Sequence, residues 1–250
     1  MLRPYRKMER KMSNLLKSAL SWIVTLLAPL AIIMLGVRLL LTPVFLPIEY
    51  NMPGFPADTY GFTLDERIRW ATPSLEYLIN DQGIDYLSAL TFDTGAAIYN
   101  PRELAHMLDV KNVLQKLLEV WYGALLVLIA LGIWACLAGV APARLRTGGT
   151  TPPGWRGNWL DDYRAGWRRG GFLMIGLLAA FGVFAVTSFW DFFSWFHSLF
   201  FQGTSWQFLY SDTLIRLFPM RFWQDCFIYI GAFSLLIGLA LAFGLKPKPK

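Results

Sequence analysis

Charged residues are scarce in this chain of 250 residues, of which only 16% are charged. A soluble domain has about 25% charged residues, so a water-soluble fold is a poor match. The charges fall almost wholly between four long apolar runs, and 55% of all residues are apolar. This distribution is typical of a chain whose solvent is a lipid bilayer.

Reactive side chains are also few, because the chain has only two cysteines and two histidines. Cys136 and Cys226 lie in or at the edge of apolar runs, which excludes a disulfide staple, a CxxC metal or redox pair, and a thiol nucleophile in the polar segments. The sequence has no GxSxG, HExxH or SxxK motif. A serine acyl-enzyme is therefore unsupported by motif.

The four apolar runs are predicted to be membrane-spanning helices, since about twenty residues at 1.5 Å each cross a core of about 30 Å. The first run is too long for a secretory signal and lacks a small-residue cleavage site, so we interpret it as an uncleaved anchor. We expect an all-α membrane protein with a single membrane domain (1–250) and spans at residues 19–41, 113–140, 171–190 and 222–245.

Lysine and arginine predict the orientation. Six of them precede the first run, six lie in residues 143–170 and three form the C-terminal tail, whereas residues 42–112 have four against ten acidic residues. We expect both termini to be cytoplasmic, with cytoplasmic segments at 1–18, 141–170 and 246–250. The net charge of +6 does not indicate nucleic acid, because the basic residues flank apolar runs and do not form one basic face.

The two remaining segments, 42–112 and 191–221, are predicted on the outer face of the membrane. Thr63 with Glu66 three residues later predicts a capped helix, and Thr72–Pro73 suggests the start of a second one. Asn100 followed by Pro101 and, two residues later, by a glutamate predicts a helix that runs unbroken into the second span. The first outer segment is therefore expected to form a small helical subdomain.

Both histidines lie in these outer segments and are the candidate catalytic residues. On a helix, Glu103, His106 and Asp109 share one broad face, so either carboxylate is a candidate to orient the imidazole and raise its basicity. His197 lies in the aromatic stretch Phe189–Phe201. A lone interfacial histidine is more often a surface hydrogen-bonding residue, and an aromatic stretch is first of all an interfacial belt.

Other polar residues of the outer segments are less specific. Each outer cation is either a surface charge or a clamp for a phosphate or carboxylate; these cations include Arg67, Arg102, Lys111, Arg216 and Arg221. The stretch from Asp212 to Arg216 has the pattern of a short capped helix.

Two histidine motifs resemble signatures of a bacterial membrane family, the lipoprotein intramolecular transacylases, called Lit. Asn100–Lys111 resembles the first signature. Phe196–Phe201 with Trp206, followed by Asp212–Pro219, resembles the second. A weaker upstream region is similar at Tyr60–Phe62 with Arg67, and at Tyr77–Leu78. The resemblance spans the whole four-helix layout, although only the two histidine motifs are specific.

The resemblance implies that one acyl chain moves from the glyceryl sn-2 oxygen of a diacylated lipoprotein to the α-amine of its N-terminal cysteine. The implied partners are diacylated bacterial lipoproteins and membrane lipid, with no cofactor and no metal. His106 and His197 would be catalytic. The expected substrate-binding or electrostatic residues are Glu103, Asp109, Lys111, Arg67, Tyr60, Trp206, Asp212 and Arg216.

Such a transfer needs no covalent enzyme intermediate, because ester and amine belong to one molecule. An α-amine has an ordinary pKa of about 7.7–8.0, so a histidine near 6.5 is able to accept its proton during attack. The two histidines divide the base and acid roles, or one performs both. Arg216, Lys111 or a backbone N–H would stabilise the oxyanion. The alternatives are a bis-histidine haem or metal redox membrane protein and a non-enzymatic membrane scaffold.

Overall fold

The computed structural model of the protein describes residues 3–139 and 159–245. The described elements are helices apart from one isolated bridge between Thr91 and Ala97. This confirms the all-α class. The helices are α1 (Arg3–Leu40), α2 (Phe45–Tyr50), α3 (Leu64–Ile79), α4 (Asp85–Ser88), α5 (Pro101–Gly139), α6 (Trp159–Thr187), α7 (Phe189–Ser198), α8 (Thr213–Leu217) and α9 (Met220–Gly244).

Four of these helices are long and apolar enough to cross a membrane, and they confirm a multi-pass membrane protein. The segments are Asn14–Leu40, Pro101–Leu137, Trp159–Thr187 and Met220–Gly244. Helix ends do not mark the hydrocarbon boundary, so the single membrane domain, its span limits and the orientation of the termini stay predictions. The expected cytoplasmic stretches 141–158 and 246–250 lie outside the described residues.

The chain folds as two compact units, and the first combines Met1–Ile33, Trp121–Ala179 and Phe233–Lys250. Its helix contacts rest on small residues. A Cβ atom on Gly166 would lie 2.7 Å from the Ser21 carbonyl oxygen, and one on Gly170 would lie 2.6 Å from the Ala28 Cβ atom. Small residues let helix backbones approach closely in lipid, where no hydrophobic effect drives helices together.

Helix α6 begins at Trp159, inside the stretch 141–170 that the sequence predicts as a cytoplasmic segment. Within that stretch, Gly166 and Gly170 form the contact face of the helix against α1. On α6 the next residue, Gly171, is close to α9, because its Cβ atom would lie 2.6 Å from the Gly238 carbonyl oxygen. Glycine here serves close approach and not chain flexibility.

The second unit combines Met34–Val120 and Ala180–Ala232 and contains both histidines. Its apolar core collects side chains from α2, α3, α4, α5, α8 and α9. Tyr77 and Leu217 are fully buried in that core, and the Tyr50 hydroxyl donates to the Leu217 carbonyl at 2.9 Å. This unit therefore fixes the start of α5 and the segment around α8 by packing.

The expected capping box of α3 is confirmed, because the Thr63 side chain accepts from the Glu66 N–H and the Glu66 carboxylate accepts from the Thr63 N–H. The expected second start at Thr72–Pro73 is wrong, since α3 continues through Pro73 to Ile79. The hydroxyl of Thr72 donates to the Ile68 carbonyl at 2.7 Å, and that of Ser74 donates to the Trp70 carbonyl. These bonds support the helix where proline removes a donor.

Gly170→Ala is expected to lower the stability of the protein by about 1–3 kcal/mol, because the added methyl group overlaps the Ala28 side chain. Thermal unfolding of the purified protein in detergent measures the change. The matched control is Gly176→Ala on the same helix, where a Cβ atom meets nothing within 4 Å. It is expected to be neutral or slightly stabilising because alanine favours helix. Equal effects of the two substitutions would contradict this helix contact.

Candidate active site

His106 lies in the second turn of α5, and the start of this helix has the capping interactions that the sequence predicts. The Asn100 side-chain oxygen accepts the N–H groups of Arg102 and Glu103, both at 3.0 Å. The Glu103 carboxylate returns the bond by accepting the Asn100 N–H at 2.8 Å. The helix then runs unbroken from Pro101 to Gly139, as expected. This reciprocal cap fixes the direction in which the first two turns of α5 project their side chains.

His106 is buried, with 9% of its surface exposed. Its ring lies 5.1 Å from the Phe201 ring and 5.2 Å from the Phe208 ring, measured between centroids. In the described part of the chain, its Nδ1 atom is buried and makes no hydrogen bond. A buried polar atom without a partner is costly, so this nitrogen is a candidate contact for a substrate atom.

His197 is held at the end of α7 by its own helix. Its Nδ1 atom lies 2.8 Å from the Phe193 carbonyl oxygen. Because a carbonyl only accepts, Nδ1 is the donor, and in the neutral ring the lone pair therefore lies on Nε2. Burial lowers the pKa of His197 below its ordinary value, although the bond to Phe193 partly opposes the shift. His197 is consequently a neutral imidazole with a free basic nitrogen near pH 7.

The two imidazoles face each other within the second unit. Their ring centroids are 6.4 Å apart and their planes differ by 22°. The Trp206 ring lies 4.7 Å from His197, and the Phe201 ring lies 5.8 Å from it. The structure thus brings together three residues that the sequence singled out, His106, His197 and Trp206, and surrounds the histidine pair with aromatic rings.

The segment that carries these aromatic rings, residues 199–212, is tied to the start of α5 by Asp212. Its carboxylate accepts from the Arg102 guanidinium at 2.7 Å, from the Asn100 amide at 3.1 Å and from the Leu209 N–H at 2.8 Å. The Arg102 guanidinium also stacks on the Phe208 ring at 5.2 Å. The short helix predicted here is confirmed as α8, but the Asp212 side chain makes no capping bond to it and anchors the aromatic segment instead.

Glu103 makes the second tie and does not orient His106, so that expectation is wrong. One carboxylate oxygen accepts the Leu214 N–H at 2.7 Å and the other accepts the Asn100 N–H. Asp109 also shows no bond to His106 among the described residues, and it is exposed. Helical spacing does put these residues on one broad face of α5. However, α8 lies against the part of that face where Glu103 is, so Glu103 bonds to α8 and not to His106.

Two expected oxyanion clamps are already paired. The Lys111 ammonium donates to the Gln82 carbonyl at 2.6 Å and to the Asn80 side chain at 3.2 Å, and it lies over the Tyr77 ring. Lys111 therefore joins α5 to the end of α3. It is not a free cation beside the histidines.

The second clamp, Arg216, forms a buried ion pair with Asp58 at 2.8 Å and lies 3.4 Å from the centroid of the Phe62 ring. Although burial alone would raise the pKa of Asp58, the Arg216 guanidinium and the Phe62 N–H hold it below its ordinary value. Tyr60, which is about half exposed, lies 5.6 Å from the same guanidinium. These residues form a separate polar cluster.

Arg67 belongs to the same region of the second unit. It is buried, donates to the Pro56 carbonyl at 2.6 Å and lies against the rings of Tyr50 and Phe55. In the described part of the chain its Nε atom makes no hydrogen bond. The contacts of Arg67 and Tyr60 among the described residues do not include either histidine.

Sequence reasoning missed Phe193, Phe201 and Phe208 as residues of the site, since aromatic side chains are expected at any membrane interface. It also missed Asp58, whose partner Arg216 is 158 residues away in the chain. No local sequence pattern predicts an ion pair between residues that only the tertiary fold brings together. The spacing of Asn100 to Glu103 did predict the cap, but not that both residues also bind the segment around Asp212.

The sequence and the fold match known proteins. The sequence model of the family described as lipoprotein intramolecular transacylase Lit matches residues 22–223. An uncharacterized protein of Aquifex aeolicus is 29% identical over 229 residues, covering 91% of this chain and 94% of that protein. The structure of the membrane integral lipoprotein intramolecular transacylase Lit from Bacillus cereus has a TM-score of 0.63 at 19% identity, covering 91% and 93% of the two chains. This likeness confirms the helical membrane fold.

Arg216→Ala is expected to destabilise the protein by about 3–5 kcal/mol, because it leaves the Asp58 carboxylate buried without its partner. Thermal unfolding in detergent measures the loss, and the double variant Asp58→Asn with Arg216→Gln is expected to regain most of it. The control is Asp93→Asn, which removes an exposed ion pair with Arg69 and should leave stability near the wild-type value. A stable but inactive Arg216→Ala would instead support a direct role in chemistry.

Proposed function

The chain belongs to the family of lipoprotein intramolecular transacylases called Lit, and we propose that it converts a diacylated lipoprotein into its lyso form. Family membership makes the protein a membrane-integral acyltransferase that acts on lipoproteins. In the proposed reaction, the sn-2 acyl chain of the diacylglyceryl-cysteine moves to the cysteine α-amine. The product has an N-acyl group and an S-monoacylglyceryl group.

One observation carries this proposal: two buried imidazoles face each other at 6.4 Å inside an aromatic shell. An aromatic, water-poor surround suits an ester with long acyl chains, and it strengthens hydrogen bonds to developing charge. The ester and the amine arrive in one molecule, so the enzyme has only to hold them in a reactive geometry and move protons.

We assign the base to His197, because its Nδ1 donates to Phe193 and leaves the Nε2 lone pair available. The neutral α-amine attacks the ester carbonyl carbon, and Nε2 accepts a proton from the amine nitrogen as the new C–N bond forms. The C–O bond to the glyceryl oxygen then breaks, and Nε2 returns the proton to that oxygen. The amide and the free alcohol form without net gain or loss of protons.

We assign substrate positioning and oxyanion stabilisation to His106. Its ring faces His197 and its Nδ1 lacks a protein partner among the described residues. The N–H of a neutral imidazole is able to donate to the ester carbonyl oxygen as negative charge develops there. This role falls to His106 because Lys111 and Arg216, the cations considered from sequence, are bound to other groups.

We place this site on the outer face of the bacterial cytoplasmic membrane, because the basic residues predict both termini and residues 141–170 inside. Trp190, Trp195 and Tyr210 are exposed near the histidines along the chain, which suits the headgroup level of a bilayer. A diacylated lipoprotein would present its ester bonds at that level. Its acyl chains would remain in the hydrocarbon and its peptide would leave toward the outside.

The two other functions considered from sequence receive less support. A non-enzymatic scaffold does not agree with membership of an acyltransferase family. For a metal redox role, the described residues gather no group of three or more His, Cys, Asp or Glu side chains able to hold a metal ion. A bis-histidine haem would need the two imidazoles alone, and a colourless purified protein would count against it.

His197→Asn is expected to lower lyso-lipoprotein formation at least ~100-fold, because asparagine keeps a donor for the Phe193 carbonyl but supplies no base. His106→Ala is expected to lose a similar factor. Mass spectrometry of the N-terminal peptide of a lipoprotein, from cells with and without each variant, measures the product. The control is Asn112→Ala, an exposed change on the same helix as His106, which should retain activity. Normal product from either histidine variant would refute the assigned roles.

The rate of transfer should follow the protonation of the substrate amine and not that of His197. Burial lowers the pKa of His197 below its ordinary value, whereas an α-amine becomes charged below about 7.7–8.0. With a synthetic diacylated lipopeptide in nanodiscs, we expect the rate to fall tenfold per pH unit below about 7.7. A steeper fall beginning near pH 6.5 would show that His197 titrates at its ordinary value.

A further inference from the structure

A polar pocket of about 350 Å³ lies between α1 and the beginning of α6 in the first unit. Lys17 and Ser21 line it from α1, and Asp162 and Arg169 line it from α6. The histidines belong to the second unit, so this pocket is independent of the proposed transacylase site.

The two cations of the pocket are held by aromatic rings. The Lys17 ammonium lies 5.4 Å from the Trp159 ring centroid, and the Arg169 guanidinium lies 4.6 Å from that of Trp22. Arg169 also donates to the Ser21 hydroxyl. Stacking on a ring fixes a cation in place and leaves its N–H groups available to an anion.

One side chain of the pocket lining has a nitrogen without a partner. In the described part of the chain, the Arg169 Nε atom is buried and makes no hydrogen bond. Trp159, whose ring lies under Lys17, is only 3% exposed and lies behind the lining residues. The Arg169 guanidinium therefore retains hydrogen-bonding capacity for a group with several acceptor oxygens.

Asp162 is the one carboxylate among the described residues that line the pocket. Among the described residues, no ion pair within 4.0 Å joins Asp162 to Lys17 or to Arg169, and the contact from Ser21 goes to the Asp162 backbone carbonyl at 2.7 Å. Asp162 offsets part of the positive charge, so the described lining residues carry two positive charges and one negative charge.

The position of the pocket along the two helices points to a membrane surface. Lys17 lies near the start of the apolar segment Asn14–Leu40, and Arg169 lies in the first half of Trp159–Thr187. These ends belong to the predicted cytoplasmic side. Basic pockets between membrane helices on that side are typical sites for anionic lipid head groups, and tryptophan is typical of the same level.

We propose that this pocket binds the phosphodiester of an anionic phospholipid from the cytoplasmic leaflet. Lys17 and Arg169 contact the phosphate oxygens, and the polar side chains of Asn14 and Ser18 at the pocket wall meet hydroxyl groups of the head group. The bound lipid bridges α1 and α6. A free phosphate ion shares the same anionic chemistry, so the experiment must separate the two sources.

The test uses the full-length protein, purified in a zwitterionic detergent and stripped of lipid. Phosphatidylglycerol, phosphatidylcholine and inorganic phosphate are added separately, and thermal unfolding and native mass spectrometry measure stabilisation and lipid binding. We expect phosphatidylglycerol alone to raise Tm, because it combines a net negative phosphodiester with acyl chains that lie beside the helices.

The variant Lys17→Gln with Arg169→Gln should bind phosphatidylglycerol about tenfold or more weakly and lose the Tm shift. The single variant Lys17→Gln should show part of this loss. It is expected to fold even where the double variant does not, because Lys17 is half-buried and makes no described hydrogen bond. The matched control is Arg164→Gln, an exposed arginine on α6 outside the pocket, which should keep the full shift.

Four results would overturn the proposal. Equal stabilisation by phosphatidylcholine would show that head-group charge is not recognised. Equal stabilisation by inorganic phosphate would replace the lipid with a soluble anion. An unchanged shift in the folded Lys17→Gln variant, or the same loss in Arg164→Gln, would place binding elsewhere. Lyso-lipoprotein formation by the histidines does not enter any of these measurements, so the two proposals fail independently.

Discussion

Two carboxylates, those of Glu103 and Asp212, join the start of α5 to the segment that leads into α8. Glu103 accepts backbone N–H groups from both sides, and Asp212 accepts from Asn100, Arg102 and Leu209. Charged acceptors make stronger hydrogen bonds than neutral ones, and this junction contains several. Residues 199–212 are held by it, and with them the aromatic rings that surround His106 and His197.

Burial then decides what the two histidines are able to do. Aromatic neighbours keep water from the rings and lower the pKa of His197, so that a base exists at neutral pH without a carboxylate partner. This differs from the arrangement in which an acidic residue orients and charges a catalytic imidazole. Here the backbone carbonyl of Phe193 orients His197, and the nearby carboxylates serve the fold.

The polar residues outside the histidine pair follow the same rule that charges away from water are paired or stacked. Arg216 is paired with Asp58 and stacked on Phe62, and Lys111 is bound to the end of α3. In the first unit, Arg169 is stacked on Trp22, and its Nε atom makes no hydrogen bond in the described part of the chain. Buried polar atoms without a partner are costly. They occur at both sites, in His106 and Arg169, and also outside them, for example in Arg67.

The sequence by itself determined the four apolar helices, the start of α3 at Thr63 and of α5 at Asn100, and the two histidine motifs, because these depend on composition and on residues within one helical turn. Only the tertiary structure decided that Glu103 bonds to Leu214, that Arg216 meets Asp58, and that Gly166 belongs to a helix contact. Such partners are more than a hundred residues apart in the chain, and the packing that selects them leaves no local pattern.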